Sequence, residues 1–265
     1  MPQFPLDTAT LLTPIGDTRL QSDGGAAYWN FRSGFGGWAL ALGLAAVQHI
    51  HPQTAMLASA TATFLKPLPE KGLVIDVRMM REGRSTTFVR AEFFADANST
   101  APIFAADYVF CDLKDTALDF TTSFPLVKSP EDSTPIPSSP GPKWLGNYDQ
   151  RFGLGAAFTK QDAPHSAVWV RDVSDRVWDE KALLAVSDTP MPRTFFLDPA
   201  PRFGATVTYD LQVFCSREEL VAQGSEYLLV EANSDRVGRG RFSQTTRVWS
   251  SDQKLLATSN QLAFY

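Results

Sequence analysis

Phe35-Gly36-Gly37-Trp38-Ala39-Leu40-Ala41-Leu42-Gly43-Leu44-Ala45-Ala46-Val47-Gln48-His49-Ile50 is the stretch that decides how this 265-residue chain folds. Ala and Leu, both strong helix formers, dominate it. No charged residue stands between Trp38 and Val47. A helix that is apolar all round has to be enclosed by other elements. It is too short to cross a bilayer, which takes about 20 apolar residues. Pro52 cannot continue it. The spacing therefore predicts one buried helix over 35–50, wrapped by what surrounds it.

What surrounds it reads as strands. Ala26 to Phe31 is a short apolar run before the helix, and residues 1–25 read as a loop. From Met56 to Leu65, Ser59, Thr61 and Thr63 alternate with Ala58, Ala60, Ala62 and Phe64, a period of two. Residues 73–80, 85–94 and 103–113 are three further strand-like runs separated by turns. Residues 116–143 change character: Pro125, Pro130, Pro135, Pro137, Pro140 and Pro142 punctuate Ser, Thr and acidic residues, which reads as a linker. Beyond it the order recurs. A strand at 167–171 precedes a more polar helix at 177–186, then strands at 205–214, 226–232, 239–248 and 255–264. Leu73-Val74-Ile75-Asp76 matches Leu228-Leu229-Val230-Glu231, and Gly83-Arg84 matches Gly238-Arg239. The chain thus reads as a duplication. Each copy is a curved antiparallel sheet around a helix, and the two copies pair edge to edge. The expected division is 1–115, a linker over 116–143, and 144–265.

Composition excludes several classes. A net charge of −5 with no basic stripe gives no reason to expect nucleic acid. No segment is apolar enough to span a membrane, and no signal peptide is read at the N-terminus. Cys111 and Cys215 sit in apolar strand-like runs and read as reduced core thiols in a cytoplasmic protein. No metal-ligand cluster, P-loop, nucleophile elbow or complete dinucleotide fingerprint is present, so no cofactor and no metal are expected.

Gly36-Gly37-Trp38 at the helix start, Phe64-Leu65-Lys66-Pro67, Arg81-Glu82-Gly83-Arg84-Ser85 and the tail from Tyr227 to Gln261 resemble the double-hotdog, acyl-CoA thioesterase II-like family. The resemblance spans nearly the whole chain, least so in the linker and over 143–165. It implies an α+β tandem (double) hotdog that takes acyl-CoA or another acyl thioester, with assembly into a homo-oligomer of double hotdogs open to it. In that family an Asp, a Thr or Ser and a Gln of the C-terminal hotdog hold the attacking water. By the resemblance these fall on Asp210, Ser234 and Gln261, with Asn233 or Asp235 one residue from the Ser234 position. The duplication adds its own argument. The matching first-half residues are Ser59, Met79 and Val109, none of which can act as a base.

Asp210 would take a proton from water, with Ser234 and Gln261 holding it. Backbone N–H groups of Gly37 and Trp38, at the positive end of the helix, would meet the oxyanion. Gly36 would let the thioester lie against the backbone, although a Gly pair also suits close packing of helix on sheet. Arg84 would meet the phosphates of coenzyme A, or simply be solvated. Two other readings stand beside hydrolysis: a hotdog that binds an acyl or polyketide-like ligand, and one that cyclises or isomerises it.

Overall fold

A computed structural model describes residues 4–114, 116–200, 202 and 204–265. Residues 1–3, Asp115 (the expected last residue of the first half), Pro201 and Phe203 lie outside the described residues. The first half contains α1 (Pro5–Ala9), β1 (Thr13–Pro14), β2 (Arg19–Ser22), α2 (Gly36–Ile50), β3 (Leu57–Phe64), β4 (Leu73–Glu82), β5 (Thr86–Phe94) and β6 (Phe104–Cys111). The second contains β7 (Thr134–Pro135), β8 (Tyr148–Leu154), β9 (Ser166–Asp172), α3 (Glu180–Ser187), β10 (Ala205–Val213), α4 (Arg217–Gln223), β11 (Leu228–Asn233), β12 (Val237–Gly238), β13 (Arg241–Trp249) and β14 (Leu255–Phe264).

The strands form one sheet in the order β1-β2-β4-β5-β6-β3-β10-β14-β13-β11-β9-β8-β7, with β12 attached to β13. From the centre outward the two halves run β3-β6-β5-β4-β2 and β10-β14-β13-β11-β9, the same order twice. They meet where β3 pairs antiparallel with β10, Ala60 opposite Leu211 and Thr61 opposite Asp210. The two helices pack against each other on the inner face, and their apolar residues merge into one core with those of β3 and β10. This is a tandem hotdog.

α2 is buried from Gly37 to Leu44. Its Trp38 indole donates to the Ala9 carbonyl at 2.8 Å and so fixes α1 beneath the helix start. α3 begins at Glu180 rather than Val177 because the Asp179 side chain caps it, accepting from the Ala182 amide. α4 is set by a reciprocal Ser216–Glu219 capping box. Several elements differ from the reading of the sequence, among them α1 in residues read as loop, the unexpected α4 and β7 inside the expected linker. Ala26–Tyr28 is a 3-10 turn, not a strand, and it drives Tyr28 into the core. The first long-paired strand is instead β2, inside residues read as loop. β8 lies in the segment that resembled the family least.

Past β6 the Pro-punctuated segment docks onto the outer face of the second half. Phe124 and Val127 pack against Trp169 and Trp249, and the Trp169 indole donates to the Lys128 carbonyl at 2.8 Å. Both cysteines are free thiols, Cys215 buried and Cys111 partly so. Among the described residues no helix is long and apolar enough to cross a membrane.

Candidate active site

The start of α2 meets the end of α3. A Cβ on Gly37 would lie 2.4 Å from the Ala185 carbonyl oxygen, and one on Gly36 would lie 2.6 Å from Asp188 Oδ2. Both distances are below any real Cβ contact. Only glycine at these two positions lets the helices approach so closely.

Asp188 is the residue just past the end of α3. A carboxylate there opposes the dipole of its own helix. It is tolerated because the start of α2 faces it. α2 has no side-chain cap of its own, its first intrahelical bond is Ala39 N–H to Phe35 O, and the Gly37 N–H lies on the Asp188 side, where it favours the ionised carboxylate. The residue keeps partial accessibility, while its carboxyl is enclosed by protein. Burial pushes that carboxyl up to about 7; the nearby Gly37 N–H and the Gln261 amide pull the other way. None of the groups acting on it is a cation.

Two side chains from neighbouring strands complete the arrangement. Gln261 of β14 reaches Asp188 Oδ1 through Nε2 at 3.5 Å and accepts from Thr206 Oγ1 through Oε1 at 2.8 Å. Thr206 faces inward because β10 carries an irregularity between Thr206 and Thr208, which brings Thr206 opposite Ala263 and Tyr209 opposite Gln261. Tyr209 supports the end of α3 from below, donating to Ser187 Oγ at 2.7 Å. Asp188, Thr206 and Gln261 thus converge beside Gly36 and Gly37.

The sequence had pointed to a different carboxylate. Asp210 pairs with Thr61 and Asn260, one residue out of step with Tyr209 and Gln261, so strand alternation turns it to the outer face. There it accepts from Thr61 Oγ1 at 3.3 Å and from Gln212. The structure therefore brings Gln261 to Asp188, not to Asp210. Ser234 is not brought to Gln261 either: it lies beyond β11, with β13 between it and β14. Its hydroxyl serves its own turn, donating to Arg236 O at 3.1 Å and lying 3.4 Å from Ser243 Oγ. Trp38 and both glycines are at the helix start as expected. Arg84 is exposed in the β4–β5 turn. The row of the sheet that reaches Phe64, beside Gly36, passes through Phe93 and Phe104. From 84 to 93 is roughly 30 Å of extended strand, so Arg84 stands at the other end of the molecule.

The matched first-half residues also shift by one. Ser59 pairs with Val109 and Asp210 with Asn260, so the counterpart of Gln261 is Phe110, not Val109. The sequence reading did not single out Asp188. The signal was an acid directly after a helix, where the dipole disfavours it, without a basic neighbour in the same turn.

Two family models match the chain: the acyl-CoA thioesterase N-terminal domain over residues 26–111 and the acyl-CoA thioesterase C-terminal domain over residues 130–265. The chain is similar to a solved conserved protein of unknown function with a hot dog fold from Alicyclobacillus acidocaldarius. They are 27% identical over 99% of this chain and 98% of that one, with a TM-score of 0.93. It is also similar to the acyl-CoA thioesterase II TesB2 of Mycobacterium marinum, at 16% identity over 98% and 97% of the two chains and a TM-score of 0.74, a likeness of fold alone. No curated protein matches it. With both halves matched in order across most of its length, the chain belongs to the acyl-CoA thioesterase family.

Proposed function

We propose that the protein hydrolyses acyl-CoA or a related acyl thioester, with Asp188 as the general base. The observation that carries this reading is the Asp188 carboxyl itself. It is enclosed, has no cation among the groups acting on it, is held near neutrality, and is aimed at the start of a helix from the other half. A base is most effective when its pKa lies near the working pH. The Asp, hydroxyl and Gln implied by the family resemblance are then Asp188, Thr206 and Gln261.

Water held by Asp188, Thr206 and Gln261 gives a proton to Asp188 as its oxygen attacks the thioester carbonyl carbon. The carbonyl π electrons move onto oxygen. Protonated Asp188 no longer competes for the α2 amides, so Gly37 and Trp38 N–H can turn to the oxyanion; one such donor is worth about 3–4 kcal/mol in other acyl-transfer sites. Collapse of the tetrahedral species breaks the carbon–sulfur bond. The thiolate takes the proton back from Asp188, which leaves free acid, free thiol and the base as it began. Gly36 keeps the carbonyl within reach of the backbone.

The test is thiol release from acyl-CoAs of graded length by the purified protein. Catalytic release, rising as pH passes through about 7 with the ionisation of Asp188, is the expected result. Tight binding of the same thioesters with no release at any pH would contradict hydrolysis and favour a binding protein.

A further inference from the structure

Behind the proposed water site, the inner face of the second half is polar where a fatty chain would call for hydrocarbon. Gln244 of β13 pairs with Gln261 of β14, and Thr246 pairs with Ser259. All four share a strand face with the core residues Val248 and Ala257 and so face α3, which packs on β13 and β14. Gln244 is 1% exposed and Thr246 2%. Gln244 Oε1 and Thr246 Oγ1 have no hydrogen-bond partner. Folded proteins rarely leave such buried atoms without a partner. In the first half the counterparts of Thr246 and Ser259 are Val89 and Tyr108. Val89 is apolar, and the Tyr108 hydroxyl is already committed to the Leu40 carbonyl at 2.8 Å. At the positions of Thr246 and Ser259, whose Oγ is likewise unpartnered, the open hydrogen-bonding capacity belongs to the half that carries the proposed site; Gln244 matches Thr87, a smaller polar residue.

Gln244 and Thr246 are two residues apart on one face of one strand, about 7 Å along it. A single hydroxyl between them can donate to Gln244 Oε1 and accept from Thr246 Oγ1. Gln244 is also the next strand's neighbour of Gln261, about 5 Å away, so that hydroxyl is only a few bonds from a carbonyl held beside Asp188. From this placement, resting on the hydrolase reading above, we infer that the acyl group this protein takes carries a hydroxyl close to its thioester. Methylenes alone would leave Thr246 and Gln244 as they are.

The experiment compares hexanoyl-CoA with hexanoyl-CoAs hydroxylated at carbon 3, 4 or 5, in two readouts: kcat/KM for thiol release, and affinity for analogues in which a methylene replaces the thioester sulfur. At least one hydroxylated chain should be preferred about tenfold in both. Thr246→Val and Gln244→Met, near-isosteric and tested singly with their melting temperatures, should each remove most of that preference and leave hexanoyl-CoA turnover unchanged. Equal or better use of the plain chain by the wild type, or a preference indifferent to both variants, overturns the inference and leaves water as the partner of these atoms. A tenfold affinity preference without thiol release upholds the inference and refutes the hydrolase reading. Release with no preference does the reverse.

Discussion

The helix pair has two ends, and each carries an acid from α3. Where α2 ends and α3 begins, Glu180 is buried and fully used. Its Oε1 accepts from the Leu57 amide at 2.7 Å, and Oε2 accepts from Arg217 Nε at 3.1 Å. Arg217 in turn ties down the Thr54 and Ala55 carbonyls. Where α2 begins and α3 ends, Asp188 keeps partial accessibility but its enclosed carboxyl meets only neutral donors, and burial drives it up to about 7. The lesson lies in the partner. A buried carboxylate whose oxygens are taken up by a guanidinium and a backbone amide becomes a strut. One facing amides alone stays close to the point of taking a proton. Around the first, the sheet offers Phe110; around the second, Gln261.

Several changes would break or sharpen that contrast. Among changes that leave the carboxyl in place, the largest effect is expected from Gly36→Ala, whose Cβ would sit 2.6 Å from Asp188 Oδ2. It should lower kcat for thiol release about 100-fold, near 3 kcal/mol, with little loss of melting temperature. Next comes pH. The folded pKa of Asp188 is raised from 3.8 to about 7, so between those values the folded state binds more protons than the unfolded one, and this group's contribution to stability falls as pH rises. From pH 5 to pH 8 the loss is about 2–3 kcal/mol. Asp188→Asn should remove it, so the variant melts above wild type at pH 8 and close to it at pH 5, by calorimetry. Glu180→Gln is expected to act in the opposite way. It should cost about 2 kcal/mol of stability, because the Arg217 ion pair is half-exposed, while kcat stays within twofold. The smallest effects should come from Thr206→Val and Gln261→Leu, each about tenfold in kcat/KM, or 1.4 kcal/mol.

Much of the fold was legible because periodicity reports burial directly. The uninterrupted apolar run of α2 and the alternation in β3 need no tertiary knowledge to interpret. The Gly pair at the helix start and Gln261 could be singled out from the sequence, and their roles belong to the proposal. Asp188 was not, because its character comes from a helix some 150 residues earlier in the chain, and nothing local marks which helix will face it. Asp210 came from the family resemblance, with Ser59 matched to it in the other copy, whereas the face it points to depends on register. A slip of one residue reverses every side chain of a strand. That slip also separated Val109 from Phe110 as the counterpart of Gln261. Thr206 depended on an irregularity in β10 that no residue in the stretch announces.

The comparison that bears most directly on the account sets Asp188→Asn against Asp210→Asn, with thiol release from one acyl-CoA measured for both beside wild type. Asp188→Asn should lose 100-fold or more in kcat and Asp210→Asn, whose side chain lies on the outer face, should change within threefold, with both proteins folded. Full turnover by Asp188→Asn, or a collapse confined to Asp210→Asn, would contradict it.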